Sequence, residues 1–563
     1  MSRRISRRAF LKSGSLAAAG STLSAMHVSC LSRIFDVVIK GGTVIDGTGK
    51  PGFKADVAIS ADNVKAVASE ISRGRARKVI DAQGLKVCPG FIDIHSHSDS
   101  SILSYPTADS RVMQGVTTEV TGNCGGSIVP IEGEDARESW KDWKEENGID
   151  PDCEFSDPAS YFGYLESTGI SVNHALLVGN GTLRSIAVGS KNRALSADEL
   201  KGVVRSFELC LDQGCAGLST GLEYVPGNYS KVEEIEALTT IAARRDVLYA
   251  THIRNESATL LESIEEAVEM GRKTGVRVEI SHFKAAGKPN WGKQEAALEI
   301  IDKARSQGID VKADAYPYTA YSTGLMYFVP QWAEEGGKDA LGERLHDPSM
   351  YKRIRHEVEI LVDNNPGSFN QIVIISVKTD ANRNCIGLSV EEIAEKWSVE
   401  PVDALLRLVE QEHNAGFVGH GMDPANVEMI LAHPYVMIGS DGYSYAPWGM
   451  AVEMQPHPRS YGAFARVLGH YCRERKIFSL PDAIKKMTSM PAAQMHMNDR
   501  GIVAPGKKAD LVVFDSEKVR DIATFDEPHR FATGVEHVLV RGEPVIENGK
   551  HTGARPGKII RKT

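Results

Sequence analysis

The sequence predicts an α/β protein: a (β/α)₈ barrel with a small β-sandwich domain built from both chain ends. Three observations carry this reading. Eight apolar or β-rich runs follow one another between Gly90 and Gly442, with helical spacing in the intervals. Similar β-rich runs stand on both sides of that series. A histidine, cysteine or aspartate closes several of the eight runs.

The first thirty residues stand apart. "SRRAFLKSGSLAAAGSTLSA" joins paired arginines to a short, small-residue apolar stretch, too broken by Gly, Ser and Thr to span a membrane. Ser6, Arg7, Arg8, Phe10, Leu11 and Lys12 resemble the twin-arginine export pattern, so residues 1–30 read as an export signal and the protein as periplasmic or extracellular. Cys30 is a candidate lipid-anchor site, although "HVSC" fits the lipoprotein pattern poorly. From 31 to 88, "DVVIKGGTVIDGTG", "ADVAIS", "VKAVAS" and "KVIDA" predict hairpins of a small sheet, and from 499 to 563 "PGKKADLVVFD" and "GVEHVLVRGEPVIENGK" predict its other part.

Residues 89–498 hold the barrel. Its strands are expected in "GFIDIHSHSD", "GVTTEVTGNCG", "HALLVGNGT", "GCAGLSTGLEY", "DVLYATHIRNE", "GVRVEISHFK", "GIDVKADAYPYT" and "YVMIGSDG". Ile264, Ala267, Val268 and Gly271 mark one helical face, and Ala297, Ile300, Ile301 and Ala304 another. The interval from Tyr318 to His433 exceeds what one helix needs, so an insertion is expected at about 330–370, as a lid or a decoration.

Composition narrows the function. The chain has 563 residues, 42% hydrophobic and 25% charged, which is globular. A net charge of −9 without a basic block points to a small-molecule substrate and away from nucleic acid. The eight cysteines show no disulfide framework and no CxxC pair.

In a barrel the chemistry sits at the C-terminal ends of the strands. There the sequence places His95, His97, Cys124, His252, His282 and Asp441. A lone buried histidine is more often a hydrogen-bonded core residue than a ligand. Core histidines have no reason to share strand-end positions, whereas metal ligands do. On an extended strand, His95 and His97 point to one face. Imidazole, thiolate and carboxylate are the ligand types zinc takes, and a catalytic zinc keeps an open position and lowers the pKa of water there to about 7.

These segments, with "GNCG", "GLSTGLEYVPG", "THIRNE", "SHFK", "YPYTAYST", "GSDG" and "HPR", resemble the N-acyl-D-amino-acid deacylases (D-aminoacylases) of the amidohydrolase superfamily over nearly the whole chain after the signal. The resemblance implies that Cys124, His252 and His282 hold a tight zinc, and that His95, His97 and Asp441 face a second, weaker site. It implies that Asp441 takes a proton from the attacking water and passes it to the leaving amine. It further implies that Lys284, Tyr316, Ser322 and Arg459 bind the substrate. Arginine suits a carboxylate because its planar fork donates two parallel hydrogen bonds. "GLSTGLEYVPG" reads as a structural turn that helps shape the acyl pocket, and Ser219 is not expected to be a nucleophile, because no serine-triad context surrounds it. Two other functions remain open from the residues: a cyclic-amide hydrolase of the dihydropyrimidinase or hydantoinase type, and a non-catalytic periplasmic zinc-binding protein.

Overall fold

The computed structural model describes residues 34–150 and 152–562; residues 1–33, where the export signal and Cys30 fall, lie outside them. Eight strands pair in parallel and in chain order: Phe91–Asp93, Val116–Thr121, Asn173–Gly179, Gly217–Gly221, Leu248–His252, Arg277–Ile280, Val311–Ala315 and Val436–Ile438. A parallel bridge between Ser96 and Gly442 draws the first and eighth strands together, so the ring is nearly closed. All eight runs expected from the sequence are these strands.

The strands are buried on both faces, which is why they read as continuous apolar runs. Val120, Ala175, Leu177, Leu248, Ala250 and Met437 pack together inside the ring. Leu176, Val178, Tyr249, Val278 and Ile280 pack outward against the helices. The helix Leu260–Thr274 buries Ile264, Ala267, Val268 and Gly271 and ends at Gly275 in the left-handed conformation, with Arg272 and Lys273 in its last turn. The helix Gln294–Ser306 buries Ala297, Ile301 and Ala304.

Both ends of the chain build a separate nine-stranded sheet. Its seam is the antiparallel pairing of Lys86–Pro89 with Leu511–Phe514, where Val87 faces Val513. One core joins the two parts: Val37, Ile39, Val57 and Ile59 from the first meet Leu511, Val513 and Leu539 from the second.

Between the seventh and eighth strands, residues 316–435 form a lobe of their own. It holds a three-stranded antiparallel sheet, Tyr321–Gly324, Gly416–Gly419 and Ile372–Ser376, and helices that include Gly337–His346 and Pro348–Asn364. Among the described residues no helix is long and apolar enough to cross a membrane.

Candidate metal centre and active site

The donor atoms of Cys124, His252 and His282 lie within 4.8 Å of one another, and so do those of His95, His97, Cys124 and Asp441. The structure thus brings all six strand-end residues into one cluster, with Cys124 shared between its two halves. Cys124 Sγ lies 3.3 Å from His282 Nε2 and 3.4 Å from His95 Nε2. Donors sharing a tetrahedral zinc, at about 2.3 Å for sulfur and about 2.0–2.1 Å for nitrogen, stand about 3.5 Å apart.

Three of the four rings are backed by a carboxylate. His95 Nδ1 contacts Asp314 Oδ2 at 3.0 Å, His252 Nε2 contacts Glu223 Oε2 at 3.0 Å, and His282 Nδ1 contacts Glu256 Oε1 at 2.9 Å. The other nitrogen of each ring is left for the cluster. That of His252, Nδ1, is buried without a hydrogen-bond partner. A carboxylate behind an imidazole fixes its tautomer and raises its basicity, the usual support of a metal-ligating histidine. An orphaned buried nitrogen beside a thiol is what a divalent metal would complete.

The charges of the cluster stabilise one another. Burial raises the Cys124 thiol, but His282, His95 and His252 outweigh it and hold the group well below its ordinary range, as a thiolate. Burial lowers His252, but Glu256, Cys124 and Glu223 outweigh it and lift the imidazole to about 10. Burial also acts to raise Asp441, yet Arg459 and His97 hold it far below the usual carboxylate range. Asp441 Oδ1 lies 3.0 Å from His97 Nε2, and Oδ2 accepts from Arg459 Nη1 at 2.6 Å.

The backbone is strained here. Cys124, His282 and Asp441 have φ of 53°, 35° and 52°, left-handed values that cost a non-glycine residue about 1–2 kcal/mol. The fourth strand holds the Cys124 loop in this shape. Ser219 Oγ donates to Gly122 O at 2.5 Å and accepts from Gly125 N at 3.1 Å. Gly221 presses so closely that a Cβ there would lie 2.0 Å from the Cys124 carbonyl oxygen. The "GLSTGLEYVPG" segment therefore scaffolds Cys124, supplies Glu223 to His252, and lays the Tyr224 ring 4.6 Å from the His252 ring.

A sequence model of the amidohydrolase family matches residues 78–152 and 410–546. The chain is 36% identical to an N-acyl-D-glutamate deacylase of Alcaligenes xylosoxydans xylosoxydans, covering 94% of this chain and 96% of that one. It is 34% identical to a D-aminoacylase of the same organism, covering 94% and 99%. The crystal structure of an N-acyl-D-glutamate deacylase from Bordetella bronchiseptica, complexed with zinc and a phosphonate mimic of the tetrahedral intermediate, superposes with a TM-score of 0.78 at 33% identity, covering 94% and 99%. The chain belongs to the N-acyl-D-amino-acid deacylases of the amidohydrolase family.

This deacylase-family hydrolase thus carries a metal-binding cluster at the barrel mouth. The cluster opens on a cavity of about 1310 Å³ whose walls include His97, Cys124, Tyr224 and Tyr443 from the barrel and Tyr327 and Trp332 from the lobe. The four residues expected at the substrate sit beside the cluster in different ways. Arg459 is buried, with Nη1 on Asp441, Nη2 donating to Ser322 O at 3.1 Å, and its guanidinium 5.0 Å from the Tyr316 ring centre. The Tyr316 hydroxyl faces Met422 Sδ at 3.7 Å. Lys284 lies behind His282, donating to Glu256 Oε1 at 2.6 Å and to His282 O at 3.0 Å.

The supporting carboxylates Asp314, Glu223 and Glu256 escaped the sequence reading. Glu256 lies in "THIRNE" one helical turn's spacing beyond His252, where a search for acids near each ligand would have found it, whereas Glu223 in "GLEYVPG" lies just past the end of the fourth strand, which carries no ligand. Asp314 lies at the end of the seventh strand, and its position in "DVKADAYPYT" is the same kind of signal.

Proposed function

We propose that this protein hydrolyses the amide of N-acyl-D-amino acids with zinc, releasing the acyl carboxylate and the free D-amino acid. The observation that carries the reading is the meeting of Cys124 with carboxylate-backed histidines next to Asp441, at the mouth of a barrel whose relatives bear these names. Cys124, His252 and His282 would hold the tight zinc, and His95, His97 and Asp441 would border a second, weaker position. When bound, the metal supplies Lewis-acid polarisation of the acyl carbonyl and acidifies water at the site.

Asp441 is the proton carrier of this proposal. Arg459 holds its Oδ2, while its Oδ1 faces the cluster beside His97 Nε2, so Oδ1 is the oxygen placed to take a proton from water and return it to the amide nitrogen as the C–N bond breaks. Water thus contributes its oxygen to the new carboxylate and its two protons to the amine, which leaves as an ammonium. Arg459 orients Asp441 and is also the proposed partner of the substrate carboxylate, since its fork gives one arm to the Ser322 carbonyl, an acceptor an anion can replace. Tyr316 and Ser322 flank it, and Lys284 adds a positive charge behind His282.

Export through the twin-arginine pathway is part of the same proposal, supported by the paired arginines and the short apolar stretch that follows them. The test of the activity is a panel of N-acetyl-D- and N-acetyl-L-amino acids. Turnover of D forms alone is expected; opening of hydantoins or dihydrouracil in its place would make the protein a cyclic-amide hydrolase.

A further inference from the structure

The cavity has charges of its own. Three carboxylates line it, Glu223, Glu334 and Glu357, against a single arginine, Arg254, and no lysine, among the described lining residues. Most of these charges are already satisfied. Glu223 holds His252 and accepts from Asn255 Nδ2 at 3.2 Å. Glu357 accepts from Trp332 Nε1 and from Arg353 Nε, each at 2.8 Å. Arg254 spends its fork on Glu266 at 2.8 and 2.9 Å and on the carbonyls of Asn228 and Ser230. Glu334 differs: no hydrogen bond or ion pair engages its carboxylate among the described residues, and burial alone lifts it to about 8.

The fold places this group deliberately. Glu334 follows the short turn Gln331–Ala333, and Gly336 and Gly337, both with positive φ, swing the chain into the helix Gly337–His346 directly after it. Arg344 pins the turn by donating to Ala333 O at 2.8 Å and Glu335 O at 2.6 Å without engaging the Glu334 carboxylate. The same cavity wall includes Tyr224, Tyr327, Trp332 and Leu361, a surface that suits an aliphatic stem or the face of a cation.

We infer that the cavity beyond the metal cluster takes a cationic arm of the substrate, an ammonium or guanidinium, with Glu334 as its counter-ion. The inference rests on the amide-hydrolase reading and sharpens its substrate class: an acidic arm would meet three carboxylates and no unengaged cation. The arm belongs either to the D-amino acid side chain or to the acyl group, and both present the same chemistry to Glu334.

Two matched pairs test it. N-acetyl-D-lysine is compared with N-acetyl-D-norleucine, and N-(6-aminohexanoyl)-D-norleucine with N-hexanoyl-D-norleucine, with N-acetyl-D-glutamate as the acidic control. In one pair the ammonium member should have the higher kcat/KM, by about tenfold or more, and that pair identifies which arm carries the charge. In Glu334→Gln the ratio should fall to near one through a rise in KM for the cationic member, and in Glu334→Lys it should invert. Equal rates within both pairs, a cationic preference that survives Glu334→Gln, or preference for N-acetyl-D-glutamate would overturn the inference while leaving amide hydrolysis intact. No turnover of any member would overturn the amide reading and this inference with it.

Discussion

Two of the places where this barrel buries histidines differ in their surroundings. His174 is the second residue of the third strand and lies on its outer side, where Nε2 meets Thr121 Oγ1 at 3.1 Å and the Tyr161 hydroxyl at 3.3 Å. Its Nδ1 has no partner and no carboxylate stands behind the ring, so burial pushes it down to about 3. At the mouth, His95, His252 and His282 are equally buried, yet each has an acid behind one nitrogen and the Cys124 cluster before the other. Burial alone makes a neutral core histidine. Burial with a carboxylate behind it makes an electron-rich ring poised for a cation.

That contrast can be broken at the mouth most severely. Removing the metal with a chelator should abolish amide turnover, and adding zinc back should restore it; activity that survives exhaustive chelation, checked by metal analysis, would separate the cluster from the chemistry. Asp441→Asn comes next. Losing the proposed proton carrier should lower kcat by about 10²–10⁴-fold while metal proposed to bind through Cys124, His252 and His282 stays in place, read by steady-state kinetics and metal analysis on one sample. Glu223→Gln weakens the support of His252 Nε2, so a competition titration should show metal affinity about 10–100-fold lower.

The smallest effect belongs to His174 and sharpens the comparison from the other side. Its folded pKa is depressed from 6.5 to about 3, so the unfolded chain binds the extra proton and stability is lost as pH falls from about 6.5 toward about 3. Thermal melts of His174→Gln should decline less steeply over that window than wild type, with zinc content unchanged. A steeper decline would place a carboxylate's influence at His174 that the structure lacks.

The sequence made the barrel legible because its strands are apolar or β-rich runs, five of them closed by a cluster ligand, and both features survive in one dimension. The cluster was legible for the same reason: His95 and His97 share a strand end, and Cys124, His252, His282 and Asp441 each close a run. Less legible were groups whose roles depend on neighbours distant in the chain. Asp314 serves His95 from 219 residues away, and Ser219 braces the Cys124 loop across 94 residues. The sheet of the lobe is built from strands of four or five residues, such as Gly416–Gly419, too short for alternation to register. Lys284 follows His282 by two residues, yet its nearest acid is Glu256, a pairing that spacing alone does not reveal.

The most direct test of the account measures zinc content and enantioselective turnover together, on wild type and Cys124→Ala. The account predicts that wild type retains about one tight zinc per chain and cleaves an N-acetyl-D-amino acid while sparing its L form, and that Cys124→Ala loses both. A folded Cys124→Ala protein that kept its zinc and its turnover would contradict it.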